Sequence, residues 1–266
     1  MYLSRLVLDL RNRSARRALA DCHDLHRLIM TGFPQASRDG LARAEFGVLF
    51  RVEAATPAHV PVLVQSVERP RWAFPEDGTV VRIDGPKPLD AIEAAVVSGA
   101  RFRFRLRANP TRRIHSRALQ DADLSELDAS GRWRDPATIP SHERTGVVRR
   151  PAREAHAAMS GKRVEIRREE ERLAWLARQG RERLGFELAE ARVVPGLDAG
   201  ELGRVPAAVA NPAGVLRSWD RKLTLATALF EGELRVTDTG AFREGLARGV
   251  GPGKAFGCGL LSLAPA

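Results

Sequence analysis

Residues 1–34 read MYLSRLVLDLRNRSARRALADCHDLHRLIMTGFP, and the change of period inside them decides the fold. Leu3, Leu6 and Leu8 are set among Ser4, Arg5 and Asp9, as a half-buried strand from Tyr2 to Leu10 requires. From Ser14 the spacing turns helical, with Leu19, Cys22, Leu25 and Ile29 on one face, and Gly32 with Pro34 ends the run. Strand candidates rich in Val, Leu and Phe follow at 45–53 and 60–67. After a turn-rich stretch another occupies 79–83. The order is β-α-β-β-(short helix or turn)-β, the split βαβ of a ferredoxin-like domain.

Further along, the pattern starts again. Residues 100–107 form a strand, and 169–183 a helix with Leu173, Trp175 and Leu176 on its buried side. Strand material lies at 186–194 and at 223–236, the latter broken at Glu231-Gly232. A helix at 241–248 and a short strand at 260–263 close the series. No sequence repeat joins the halves, so the duplication rests on element order. The expectation is an α+β chain of two tandem ferredoxin-like (βαββαβ) domains, 1–95 and 96–266. Residues 114–160, poor in periodicity, read as a long mobile insertion without assigned chemistry.

The 266 residues suffice for one large or two small domains with real cores. At 44% hydrophobic and 29% charged, the chain is neither collagen, coiled coil nor wholly disordered. Forty-three Lys and Arg against 33 Asp and Glu give a net charge of +10, which calls for an anionic partner, nucleic acid before membrane. Cys22 and Cys258 are the only cysteines, which excludes a disulfide framework or zinc ribbon and suits a reducing cytoplasm. Neither a signal peptide nor a membrane span is legible, so a soluble, cytoplasmic protein is expected.

Three constellations can carry chemistry. His23 and His26 stand three residues apart on the first helix, with Arg27 beside them as a phosphate ligand. An imidazole titrates near neutrality and so can move protons. The residues alone leave open two surface histidines, a proton-transfer pair, or a metal site completed by Cys22. The second is residues 101–113, RFRFRLRANPTRR, with six arginines and no acid. Strand alternation turns Phe102, Phe104 and Leu106 to a core and Arg101, Arg103, Arg105 and Arg107 to the other face. Phosphate binding is favoured there over a merely solvated face. The third is residues 249–259, with five glycines and Lys254, either a cradle for a polyanion or a flexible loop before the last strand. It is neither a Walker loop nor a dinucleotide fingerprint, and no GxSxG, HExxH or paired-carboxylate motif occurs.

The opening MYLSRLVLDL, a histidine on the first helix, RFRLRANPTRR at 103–113 and GVGPGKAFGCGLLSLAP at 249–265 resemble the CasE family. GKRV at 161–164, Ala174-Trp175-Leu176 and LFEG at 229–232 extend the resemblance, in order, from residue 1 to 265. That family comprises the CRISPR-RNA-processing endoribonucleases of type I-E Cascade. The resemblance implies two ferredoxin-like domains and a ribonuclease using neither metal nor cofactor. It implies a cut 3′ of the hairpin in CRISPR precursor RNA, by 2′-OH attack that leaves a 2′,3′-cyclic phosphate. The product would stay bound, with the protein a monomer in isolation and a partner of other Cascade subunits in the cell.

His26 matches the family's catalytic histidine. His23 stands where tyrosine is common, so a His-His pair, or a His23 that only orients substrate, is implied. Residue 31 is Thr where some members carry lysine, which leaves phosphorane stabilisation to Arg27 or to a residue elsewhere. For RNA binding the resemblance points to Arg217, Trp219, Arg221 and Lys222 on a basic hairpin and to Lys254 in the glycine-rich loop. Arg103, Arg105, Arg107, Arg112, Arg113, Lys162 and Arg163 join them as cations for the phosphate backbone. The alternative is a catalytically inactive subunit that binds the same RNA hairpin on the same fold.

Overall fold

The first strand, β1 (Tyr2–Asp9), buries Leu6 and Leu8 completely, as its alternation requires. The computed structural model describes residues 1–34, 42–113, 126–127, 133–134, 163–194, 215–218 and 223–266. Beyond β1 the expected single helix is two, α1 (Arg13–Ala20) and α2 (Cys22–Met30). Asp21 lies between them in an extended conformation, and its carboxylate accepts from the N–H groups of His23 and Asp24. An acceptor at that position satisfies donors the new helix start would leave open, so the chain breaks there at little cost. Leu19, Cys22, Leu25 and Ile29 are nonetheless all buried.

The strand expected at 45–53 begins later. Helix α3 (Ala42–Glu45) is followed by Gly47 at φ +60, and β2 spans only Leu49–Val52. A Cβ on Gly47 would lie 2.5 Å from Val67 Cγ2, so the turn needs glycine for both conformation and space. Then come β3 (His59–Ser66), β4 (Val80–Pro88) and α4 (Asp90–Ala95). The connection at 67–79 contains no helix. These strands form an antiparallel sheet in the order β2-β3-β1-β4.

The second half opens with β5 (Arg101–Ala108). Short strands follow: β6 (Thr111–Arg113), β7 (Glu126–Leu127), β8 (Trp133–Arg134) and β9 (Arg163–Glu165). Helix α5 (Glu169–Gln179), prolonged by a π-helical turn at Gly180–Leu184, precedes β10 (Phe186–Val194). Next are β11 (Val215–Ser218), β12 (Leu223–Ala226), β13 (Ala228–Val236), α6 (Thr239–Arg248) and β14 (Leu261–Pro265). The second four-stranded sheet runs β10-β13-β5-β14, again antiparallel. Numbered within its own half, each sheet has the order 2-3-1-4, that of a ferredoxin-like fold. The break expected at Glu231-Gly232 is not one: β13 runs through it, and the interruption falls at Thr227.

The chain forms two compact units, Met1–Pro110 with Arg167–Ala266, and Thr111–Ile166. In the smaller unit β6 pairs with β9 and β7 with β8. Most of the expected insertion at 114–160 lies outside the described residues. Among the described residues, no helix is long and apolar enough to cross a membrane.

Within the larger unit, Arg51 of β2 joins the two sheets. Its Nε donates to Glu53 Oε1 at 2.7 Å, Nη1 to the carbonyls of Arg105 (2.8 Å) and Leu260 (3.2 Å), and Nη2 to Ser262 Oγ at 3.0 Å. Glu53 also accepts from Arg105, which bonds Glu231 in turn. Elsewhere Gln65 Nε2 donates to the Leu246 carbonyl at 2.7 Å. Arg51→Ala would take from Glu53 the buried one of its two arginine partners, and from the Arg105 and Leu260 carbonyls a donor, in a dry site. We expect a loss of about 3–5 kcal/mol, read as a lower urea midpoint at unchanged m-value.

Candidate functional site

Helix α2 carries the site because Asp21 starts it where His23 and His26 fall on neighbouring turns, ring centroids 6.4 Å apart and nearly parallel. The His26 ring also stacks on Phe50 of β2, again at 6.4 Å. Phe50 is buried in the first half's core with Leu19, Leu25 and Ile29. His26 Nδ1 is buried without a hydrogen-bond partner, which leaves Nε2 as the nitrogen open to an approaching group. Burial, and then the charges of His23 and Arg43, push the imidazole down to about 4, so it is neutral at pH 7.

The glycine-rich segment closes the site from the second half. Residues 249, 251, 253, 257 and 259 all have positive φ, and Lys254–Phe256 form a 3-10 turn packed on α2 and β2. Its backbone is internally bonded: Val250 N–H donates to the Gly259 carbonyl at 2.9 Å, and Gly259 N–H to that of Arg107 at 2.7 Å. A Cβ on Gly257 would stand 3.2 Å from Phe50, so this loop lies directly on the ring that supports His26. Lys254 is half-buried, and its amine is lowered by burial and by the neighbouring charges of Arg43 and Arg248.

Cys22 is buried and packs with Cys258, Leu225 and Phe256. Burial pushes these thiols up to about 11 and about 12, so neither is a thiolate at neutral pH. Among the described residues no group of three or more His, Cys, Asp or Glu side chains is placed to hold a metal ion, and Cys22 does not complete such a set with His23 and His26.

The arginine row is sorted by its surroundings. Arg101, Arg103 and Arg105 are exposed and Phe102, Phe104 and Leu106 buried, as alternation implies. Arg107 departs from the expectation: it is 1% exposed, and Nη2 donates to the Val52 carbonyl at 3.1 Å while Nε and Nη1 have no partner. A guanidinium so enclosed does not meet a phosphate backbone, so Arg107 is a structural residue. Burial pushes it down to about 10. Arg105 is held by Glu53 and Glu231, and Arg103 Nε donates to the Pro265 carbonyl at 2.9 Å. Asn109 beside Arg107 is also buried, bonding the Ala226 carbonyl. The RANP stretch thus organises the interior.

Arg27 is exposed and paired with Asp24 at 3.1 Å. Arg112 and Arg163 are exposed in the smaller unit. Arg113 sits opposite Arg163 in the register of β6 and β9, and Arg217 opposite Thr224 on β11, a strand beside α2. Lys162, Trp219, Arg221 and Lys222 lie outside the described residues. Sequence reasoning missed Arg43, Phe50, Arg51 and Glu53. The Arg inside apolar Leu49–Val52 was a legible sign of a buried cation; Arg43 offered no pattern.

A neutral His26 has a consequence for stability. Its unfolded pKa is about 6.5, so between pH 6.5 and 4 the unfolded chain binds more protons. The stabilisation is complete above 6.5 and is lost as pH falls toward 4. We expect His26→Gln to flatten the pH dependence of unfolding free energy across that window, with the wild-type His26 resonance titrating near 4. Equal slopes in the two proteins would contradict a neutral, desolvated ring.

The chain is similar to known proteins over its whole length. A family model described as CRISPR associated protein matches residues 1–265. The CRISPR-associated endoribonuclease Cse3 of Thermus thermophilus is 32% identical over 269 residues, covering 100% of both chains. The CRISPR system Cascade subunit CasE of Escherichia coli is 29% identical over 266 residues, again covering 100% of both. The structure of Thermus thermophilus Cse3 bound to an RNA representing a pre-cleavage complex matches with a TM-score of 0.67. It is 30% identical and covers 99% of this chain and 98% of that one.

Proposed function

Because the chain belongs to the CRISPR-associated protein family matched over residues 1–265, the family of Cse3 and CasE, we propose that it is the endoribonuclease of a CRISPR system. Its substrate is the repeat hairpin of CRISPR precursor RNA, cut 3′ of the stem. The observation that carries this reading is the neutral His26 imidazole, half-buried beside cations and open at one nitrogen. Full-length similarity to an endoribonuclease supports the reaction class.

The chemistry follows from those groups. Nε2 of neutral His26 accepts the proton of the ribose 2′-OH as its oxygen forms a bond to the adjacent phosphorus. The bond from phosphorus to the 5′-oxygen breaks, leaving a 2′,3′-cyclic phosphate and a 5′-hydroxyl. His23, one helical turn away, is placed to protonate the leaving 5′-oxygen. Two imidazoles complete both transfers, so the reaction takes no metal or cofactor.

Lys254, Arg27 and the basic residues at 217–222 bind the RNA backbone, as shape recognition of a duplex stem requires. Residues 1–95 act as the domain bearing the catalytic helix and 96–266 as the RNA-holding domain. The protein works in the cytoplasm, a monomer in isolation, and stays on its product as a subunit of a Cascade assembly, as its Escherichia coli relative's name describes.

The test is cleavage of the organism's own repeat hairpin in excess EDTA, with analysis of the end groups. We expect a cut at the 3′ base of the stem and a cyclic phosphate. His26→Ala should slow cleavage by about 10²–10⁴-fold while hairpin affinity stays within a few fold. Tight binding without any cleavage by the wild type would leave only an RNA-binding subunit, and loss of binding in His26→Ala would make that residue structural.

A further inference from the structure

Resting on the ribonuclease reading, we propose that Arg43, acting with Lys254, is the cationic clamp for the pentacoordinate phosphorane formed at His26. Arg43 lies in α3 and is held twice to Val48, the residue before β2. Val48 N–H donates to the Arg43 carbonyl at 2.9 Å, and Arg43 Nη1 donates to the Val48 carbonyl at 3.3 Å. That bond occupies one of the five guanidinium donors. Two residues further on stands Phe50, the ring under His26. Lys254 approaches from the other half, its Cγ 3.2 Å from where a Cβ on Gly259 would stand, in the turn packed on α2 and β2.

The counter-charges decide the argument. Arg51 and Arg105 share Glu53; Arg105 and Arg192 share Glu231; Arg27 and Arg17 share Asp24. Among the described residues no carboxylate pairs with Arg43 or with Lys254, although both are half-buried. Arg43 bonds Val48, two residues before Phe50, and Lys254 sits in the turn packed on α2 and β2, so both are anchored on the segments around His26; the charge of Arg43 lowers His26 and Lys254 alike. Two like charges drawn out of water without an anion are costly. A phosphate diester relieves that cost, and the phosphorane, with its non-bridging oxygens more negative, relieves it further. Such differential stabilisation accelerates a reaction. In the clamp Arg43 and Lys254 donate hydrogen bonds to those two oxygens and transfer no proton. The 2′-oxygen bond to phosphorus forms, the 5′-oxygen bond breaks, and both proton transfers stay with the imidazoles.

The experiment is single-turnover cleavage of saturating repeat hairpin RNA by the full-length protein. Arg43→Ala should lower the rate by about 10²–10³-fold, with hairpin affinity and thermal midpoint near wild type, and Arg43→Lys should recover part of the loss. Sulfur replacing one non-bridging oxygen at the scissile phosphate should slow the wild type more in one stereoisomer than in the other. That preference should collapse in Arg43→Ala, which a structural defect would not cause. Wild-type cleavage with an Arg43→Ala rate within about threefold of it, or an unchanged stereoisomer preference in the variant, would overturn the clamp and leave the ribonuclease reading intact. A wild type that does not cleave would overturn both.

Discussion

The buried guanidinium of Arg51 is the interaction on which the site depends. It lies in the short strand β2 of the first sheet, yet bonds the Arg105 and Leu260 carbonyls and the Ser262 hydroxyl of the second half. Taking a charge out of water is expensive unless its donors are met, and here Glu53, two carbonyls and a hydroxyl meet them. Because strand side chains alternate, fixing Arg51 toward the second sheet fixes Phe50 toward the opposite side. There it packs in the first half's core, beneath His26 and against Gly257.

A chain of contacts therefore runs from the joint between the halves to the imidazole that would do the chemistry. The same joint sorts the arginines. Glu53 and Glu231 pair with Arg51, Arg105 and Arg192. Arg107 is enclosed beside Val52 and Cys258, where it helps seat the glycine-rich loop through its own carbonyl. Arg43 and Lys254, half-buried and without a carboxylate partner among the described residues, lie on the segments that pack around Phe50 and α2. Desolvation, not hydrogen bonding, sets the protonation state of that histidine, since Nδ1 has no partner.

Much of this was legible before the tertiary structure. Alternation over 101–106 gave the strand and its buried face, and β1, the helices and the last strand fell in the expected order. The misreadings share a cause. Asp21 looks like any polar residue in an amphipathic helix until its carboxylate is seen capping a new one. Residues 45–48 look like strand until Gly47 turns the chain. Local pattern registers burial period well and registers single turn or cap residues poorly, because one residue barely perturbs a window of eleven.

By itself the sequence determined the two βαββαβ halves, the basic balance, the family resemblance and the helical setting of His26 after the first strand. Periodicity and motif order are written in neighbouring residues, and so were readable there. Only the tertiary structure decided that Arg107 is interior, that His26 is neutral, and that Arg43 is tied to the start of the strand carrying Phe50. Those properties come from desolvation and from partners far off in the chain. The Arg51 bonds to Leu260 and Ser262 span 209 and 211 residues, and no local pattern carries a contact of that range.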